Sequence, residues 1–200
     1  MFKKCLLSFL LFSQCMIFPY NESNCLTDIL CSDAWYEEDL GARKGEANPV
    51  HLAVTLSECD PEDIDTINMV IDFWVKRGGD LNETFNYIDF FEYMYESVDS
   101  ELLPKCYKKH EKITLVMLFA SVGVFVDALI KAGARSDLDT LGFWIEQYQD
   151  FEAMFPKSST PECMYEFQYE ALKSLFNHLN KMDQMKFMTK HASFVRYLHN

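Results

Sequence analysis

Asn48-Pro49-Val50-His51-Leu52-Ala53 opens, and Val70-Ile71-Asp72-Phe73-Trp74-Val75-Lys76-Arg77-Gly78-Gly79-Asp80-Leu81-Asn82 closes, the stretch on which the rest of the chain hangs. Asn48 is a good helix N-cap, because its side-chain oxygen can accept from an N–H that has no partner inside the helix. Pro49 suits the first helical position, where its missing donor costs nothing. Asp60-Pro61 is a second start signal, with Glu62 and Asp63 in a first turn where acids suit the helix dipole. Ile64, Ile67, Ile71 and Trp74 then recur at helical spacing, with Val70 beside them. Gly78 and Gly79 follow, and glycine takes the left-handed conformation that ends many helices. The stretch predicts a helix, a short connection, a longer helix and a glycine turn. One such hairpin cannot bury its apolar face alone and needs stacked neighbours.

The pattern returns further along. Thr84 stands 36 residues beyond Asn48 (48 to 84) and Thr114 a further 30 (84 to 114), a mean of 33. The unit at Thr84 keeps little of the opening and leads into an aromatic helix with Tyr87, Phe90, Phe91, Tyr93 and Tyr95. That run is read as core, although aromatics on more than one helical face could also anchor a partner. The unit at Thr114 is clearer: Thr114-Leu115-Val116-Met117-Leu118-Phe119-Ala120, then Gly123, then Val126-Asp127-Ala128-Leu129-Ile130-Lys131-Ala132-Gly133-Ala134. A fourth start is expected at Thr140, with Phe143, Trp144, Ile145, Tyr148 and Phe151 as an apolar helix to about Phe155. Thr160-Pro161-Glu162 starts another helix, striped by Met164, Phe167, Ala171, Leu175 and Leu179. Met185 to Leu198 is a last, more basic amphipathic segment.

Pro49-Val50-His51-Leu52-Ala53 resembles the Thr-Pro-Leu-His-x-Ala opening of ankyrin repeats, whose period is 33 residues. Gly78-Gly79-Asp80-Leu81-Asn82 and Val126 to Ala134 resemble the ends of such repeats. The resemblance covers roughly residues 48–139, under half the chain, and other helical-hairpin arrays would share its periodicity. It implies an all-α fold: a short stack of ankyrin-like helical hairpins with helical extensions at both ends. Residues 21–47 would cap the stack, and residues 140–200 would form a C-terminal extension. It further implies a protein-binding module, a fold-level analogy only. The concave face would then draw on the turns, with Asp80, Glu83, Lys109 and Lys112 as partner-binding residues. In such a motif His51 is structural, bonding neighbouring turns.

Composition narrows the class. A 49% hydrophobic and 15% aromatic chain of 200 residues can build one core, and seven glycines and six prolines argue against a turn-rich β fold. The net charge of −13 argues against nucleic acid, since phosphate binding needs a basic face. Lys3-Lys4 followed by the apolar Cys5 to Phe12 reads as a secretory signal over residues 1–20, too short for a comfortable membrane span. Export, to a secreted or periplasmic location, is therefore expected, with no transmembrane segment in the mature chain. Two alternatives stand beside cleavage: lipid attachment at Cys15, which would make an envelope-anchored structural lipoprotein, and retention of the apolar helix. Export permits disulfides. Cys25 and Cys31, close in sequence, are the first candidate pair among Cys25, Cys31, Cys59, Cys106 and Cys163, and an odd number leaves at least one thiol over. Asn21-Glu22-Ser23 and Asn82-Glu83-Thr84 match the N-glycosylation pattern, which matters only in a eukaryotic source.

No chemistry is spelled out. There is no G-x-S-x-G, P-loop, H-E-x-x-H or G-x-G-x-x-G, and no cysteine or histidine spacing that suits zinc. No catalytic residue, cofactor or metal is expected, and the expected partner is another protein. A helical hydrolase with a cysteine nucleophile is the competing class; it needs a histidine brought beside Cys59, Cys106 or Cys163 by the fold.

Overall fold

A computed structural model describes residues 48–94, 107, 109–120, 123–154 and 162–198. The signal sequence, the capping segment, Cys15, Cys25, Cys31, Cys106 and Asn21 lie outside the described residues.

Among the described residues there are nine helices and one two-stranded ribbon. In chain order they are α1 (Pro49–Glu58), α2 (Ile64–Lys76), β1 (Phe85–Asn86), α3 (Tyr87–Met94), β2 (Lys112–Ile113), α4 (Leu115–Leu118), α5 (Gly123–Lys131), α6 (Leu138–Met154), α7 (Glu162–Asn177), α8 (Lys181–Lys190) and α9 (Ala192–Leu198). The fold is all-α.

Caps set the helix starts. Asn48 Oδ1 accepts from the Val50 N–H at 2.9 Å, and Pro49 occupies the first helical position. Thr114 Oγ1 accepts from the Met117 N–H at 3.3 Å and starts α4. Two starts differ from the sequence reading. Asp60 accepts from the Glu62 N–H at 2.9 Å and closes a local turn, so Pro61 does not begin a helix. Asp63 caps α2 instead, accepting from the Thr66 N–H at 3.0 Å and from its hydroxyl at 2.7 Å. Likewise Asp137, not Thr140, caps α6: its Oδ1 accepts from the Thr140 N–H and hydroxyl, both at 2.9 Å. Thr140 is buried inside the first turn.

Three hairpins stack: α1–α2, α4–α5 and α6–α7. α4 lies between α1 and α6 in one row, and α5 lies between α2 and α7 in the other. Among the described residues the unit at Thr84 supplies one helix, α3, which packs on α1. Its chain passes through β1, and the antiparallel partner β2 leads into α4, with Phe85 opposite Ile113 and Asn86 opposite Lys112. The pairing brings residues 85–86 beside 112–113, and the Asn48 and Thr114 units also meet directly.

The core is continuous through both rows. Trp74 from α2, Phe125 and Leu129 from α5, and Phe143, Trp144, Tyr148 and Phe151 from α6 are all buried. The aromatic run of α3 is core as well at Tyr87, Phe90 and Phe91. Buried Tyr107 ties it to the third hairpin, edge-on to Phe91 and Phe143 and accepting from Gln147 Nε2 at 2.8 Å. Beyond the stack, α9 lays Phe194 and Tyr197 against Trp144 and Tyr169. Among the described residues no helix is long and apolar enough to cross a membrane.

Candidate functional site

The turns that close the first two hairpins run side by side. Gly78 has a φ of +92° and Gly133 a φ of +115°, the left-handed region that glycine enters without steric cost. The Gly78 N–H donates to the Val75 carbonyl at 2.9 Å, and the Gly133 N–H to the Ile130 carbonyl at 3.0 Å. Asn82 clips the two turns together. Its Oδ1 accepts from the Arg135 N–H at 2.8 Å, and its Nδ2 donates to the Gly133 carbonyl at 3.4 Å. The sequon Asn82-Glu83-Thr84 thus overlaps a residue the fold already uses. The third hairpin joins through Ser136, whose hydroxyl donates to the Leu175 carbonyl at 3.1 Å.

The four residues expected to bind a partner fare differently. Asp80 and Glu83 are exposed at the tip of the first turn. Asp80 Oδ1 accepts from the Asn82 N–H, and its carbonyl from the Glu83 N–H, both at 2.9 Å, so the tip is held rigidly. Lys112 is exposed on β2. Lys109 is drawn away from this group: its ammonium donates to Glu146 Oε1 on α6. His51 is buried in the first turn of α1, where its carbonyl accepts from the Thr55 hydroxyl at 2.9 Å.

Glu146 is a junction the sequence did not reveal. Its Oε2 meets His110 Nε2 at 3.0 Å, and the His110 ring stands edge-on to Phe143. Burial pushes the Glu146 carboxyl up, but the hydrogen bonds from Lys109 and His110 outweigh it and hold it below the usual carboxylate value. Glu146 also borders a cleft of about 310 Å³ between α6 and α8. Leu138, Ile145 and Phe187 give this cleft apolar walls, and Lys186, Lys190 and His191 line its α8 side. Burial and the neighbouring Lys190 ammonium lower the His191 pKa. Lys186 donates to Asp183 Oδ1 at 2.9 Å.

Two arrangements bear on catalysis. The Cys59 thiol is buried and donates to the Thr55 carbonyl at 3.3 Å. Burial, with the Asp63 and Glu58 carboxylates, pushes its pKa up to about 12, far from the thiolate a nucleophile needs. Ser174, Asp127 and His178 also converge between α5 and α7. The Ser174 hydroxyl donates to Asp127 Oδ1, and His178 Nε2 lies 3.5 Å from the same oxygen. A hydrolytic triad places the imidazole between hydroxyl and acid. Here the carboxylate stands in the middle, so His178 is not positioned to take the Ser174 proton. Among the described residues no group of three metal-ligating side chains comes together. Comparison with known proteins finds no matching family model, no similar curated protein and no similar solved structure.

Proposed function

We propose that this chain is a protein–protein interaction module of ankyrin-like type that works after export, in a secreted or periplasmic setting. The observation that carries the reading is the Asn82 clip. It joins the positive-φ turns of two consecutive hairpins while leaving the acidic tip residues Asp80 and Glu83 exposed. A rigid row of turns presenting charge is suited to recognising a partner by electrostatic complementarity, which acts mainly on association rate. The inert Cys59 thiol and the misordered Ser174, Asp127 and His178 give no support to a hydrolase. Lys109 contributes to the fold through Glu146 and is set aside as a contact residue.

The test is the double variant Asp80→Lys, Glu83→Lys. It should weaken capture of the native partner while leaving the thermal unfolding curve in place, and the loss should shrink as salt screens the contact. Unchanged capture would remove the turn face from consideration. A substitution of histidine or cysteine that abolishes a measured turnover at unchanged stability would overturn the whole reading. N-terminal sequencing of protein from its native site decides export: residues 1–20 should be missing.

A further inference from the structure

Helix α8 exposes its apolar side. Met182 and Met185 are each 59% exposed and Met188 36%, on a ten-residue helix of which Phe187 is the buried residue. The three methionines recur at three-residue steps, so they form one stripe of roughly a third of the helix circumference. Lys186 and Lys190 follow round the helix on one side of that stripe. Beyond them opens the cleft against α6, with Leu138, Ile145 and Phe187 in its walls. Methionine stripe, lysine edge and apolar cleft are therefore one continuous surface.

Its charge is out of keeping with the chain. The protein carries a net charge of −13, yet from residue 181 to 196 Lys181, Lys186, Lys190 and Arg196 face a single acid, Asp183. Cations gathered beside exposed methionine, on an otherwise acidic molecule, complement a ligand that is acidic and apolar at once. Methionine is unbranched and polarizable, and fits varied apolar anchors. The cleft volume is at the lower end of what small ligands occupy, enough for one large side chain.

We propose that the α6–α8 surface binds an acidic peptide segment of a partner protein, seating one large apolar side chain in the cleft and its carboxylates on Lys186 and Lys190. An anionic bilayer shares that chemistry but fits less well. Membrane binding needs no cleft and would leave this one unfilled, whereas a peptide side chain occupies it. The inference rests on the protein-binding reading but uses a face distinct from the Asp80–Glu83 tip.

The experiment is fluorescence anisotropy of the full chain with a panel of fluorescein-labelled 12-residue peptides of Glu, Ser and Leu carrying one Trp at varied positions. At least one peptide should bind saturably. Its Lys-for-Glu counterpart should not bind. Lys186→Glu with Lys190→Glu should weaken binding by at least about tenfold, and Met182→Ser with Met185→Ser by about threefold or more, at unchanged circular dichroism. The Asp80→Lys, Glu83→Lys variant should bind the peptide normally, so that failure here and failure of the turn face are read separately. Four results would overturn the proposal: no saturable binding across the panel, equal binding by the lysine variants, a concentration-dependent dimer abolished by the methionine variants, or cosedimentation with phosphatidylserine vesicles in place of peptide binding.

Discussion

The first hairpin and the last two helices use apolar residues in opposite ways. α1 buries every position from Pro49 to Leu56, and α2 buries Ile67, Val70, Ile71 and Trp74 along one stripe. α8 buries Phe187 but turns three methionines to solvent, and no residue of α9 is fully buried. The first region is closed by its neighbours on both rows, so its side chains answer to packing. The second ends the array and has a face with no element of the described fold on it. Large exposed apolar patches on soluble proteins usually mark interaction sites. The closed apolar stripe and the open one thus lie in different parts of one small stack.

The sharpest way to break this contrast is Trp74→Ala. The indole is 3% exposed and lies under the glycine turn, where a Cβ on Gly79 would come within 2.3 Å of the ring. Removing it should cost about 3–5 kcal/mol, read from urea unfolding. A loss under about 1 kcal/mol would mean that the first hairpin is not packed as described. Next in size is Gly133→Val. A side chain at a φ of +115° is strained even where space is open, so a loss of at least about 1–2 kcal/mol is expected. Gly142→Ala should be tolerated by comparison, because a Cβ there meets nothing within 4 Å and φ is not positive.

Much of this stack was legible in local residue chemistry. Asn48-Pro49 and Thr114 start helices, and Gly78 and Gly133 stop them, because a cap or a left-handed turn is decided within a few residues. What escaped depends on distant partners. The β1–β2 ribbon is two residues per strand, with no strand pattern long enough to read, and it is held by a partner 28 residues away in sequence (85 to 113). Glu146 sits in an apolar helix, and only the fold brings Lys109 and His110 to it. Asp60-Pro61 has the form of a helix start, but Asp63, which bonds both the Thr66 N–H and its hydroxyl, caps the helix instead. The methionines of α8 have the spacing of a buried stripe; spacing shows that residues share a face but not whether anything covers it.

Asp63 offers a smaller and pH-dependent test of the packed end. The Thr66 hydroxyl, then the Thr66 N–H, hold its carboxyl below the usual value. A carboxylate depressed in the folded state stabilises it above the unfolded pKa, and that stability is lost as pH falls through the folded value. Asp63→Ala should therefore cost about 1 kcal/mol at neutral pH, as helix caps do. The gap between variant and parent should narrow below about pH 4, where the free carboxyl titrates. A gap that stays constant from pH 7 to pH 2.5 would show that the charged cap plays no part.

The smallest expected effect is on the methionines of α8, and it tests the contrast from the open side. Met182, Met185 and Met188 project into solvent, whereas Phe187 on the same helix is 1% exposed and packs against Phe176 and His191. Phe187→Ala should lower stability by about 3–5 kcal/mol, in line with other buried aromatics. Each methionine changed to serine should stay within about 0.5 kcal/mol of the parent, as surface substitutions do. The Asn180 cap supports this, since its Oδ1 accepts from the Asp183 N–H at 3.0 Å and sets the helix start without help from the stripe. If a methionine variant instead loses 2 kcal/mol or more in the isolated chain, the stripe is covered in solution. The open end would then be a second closed one. If stability holds, the apolar stripe contributes little to the folded state and is left available for a partner.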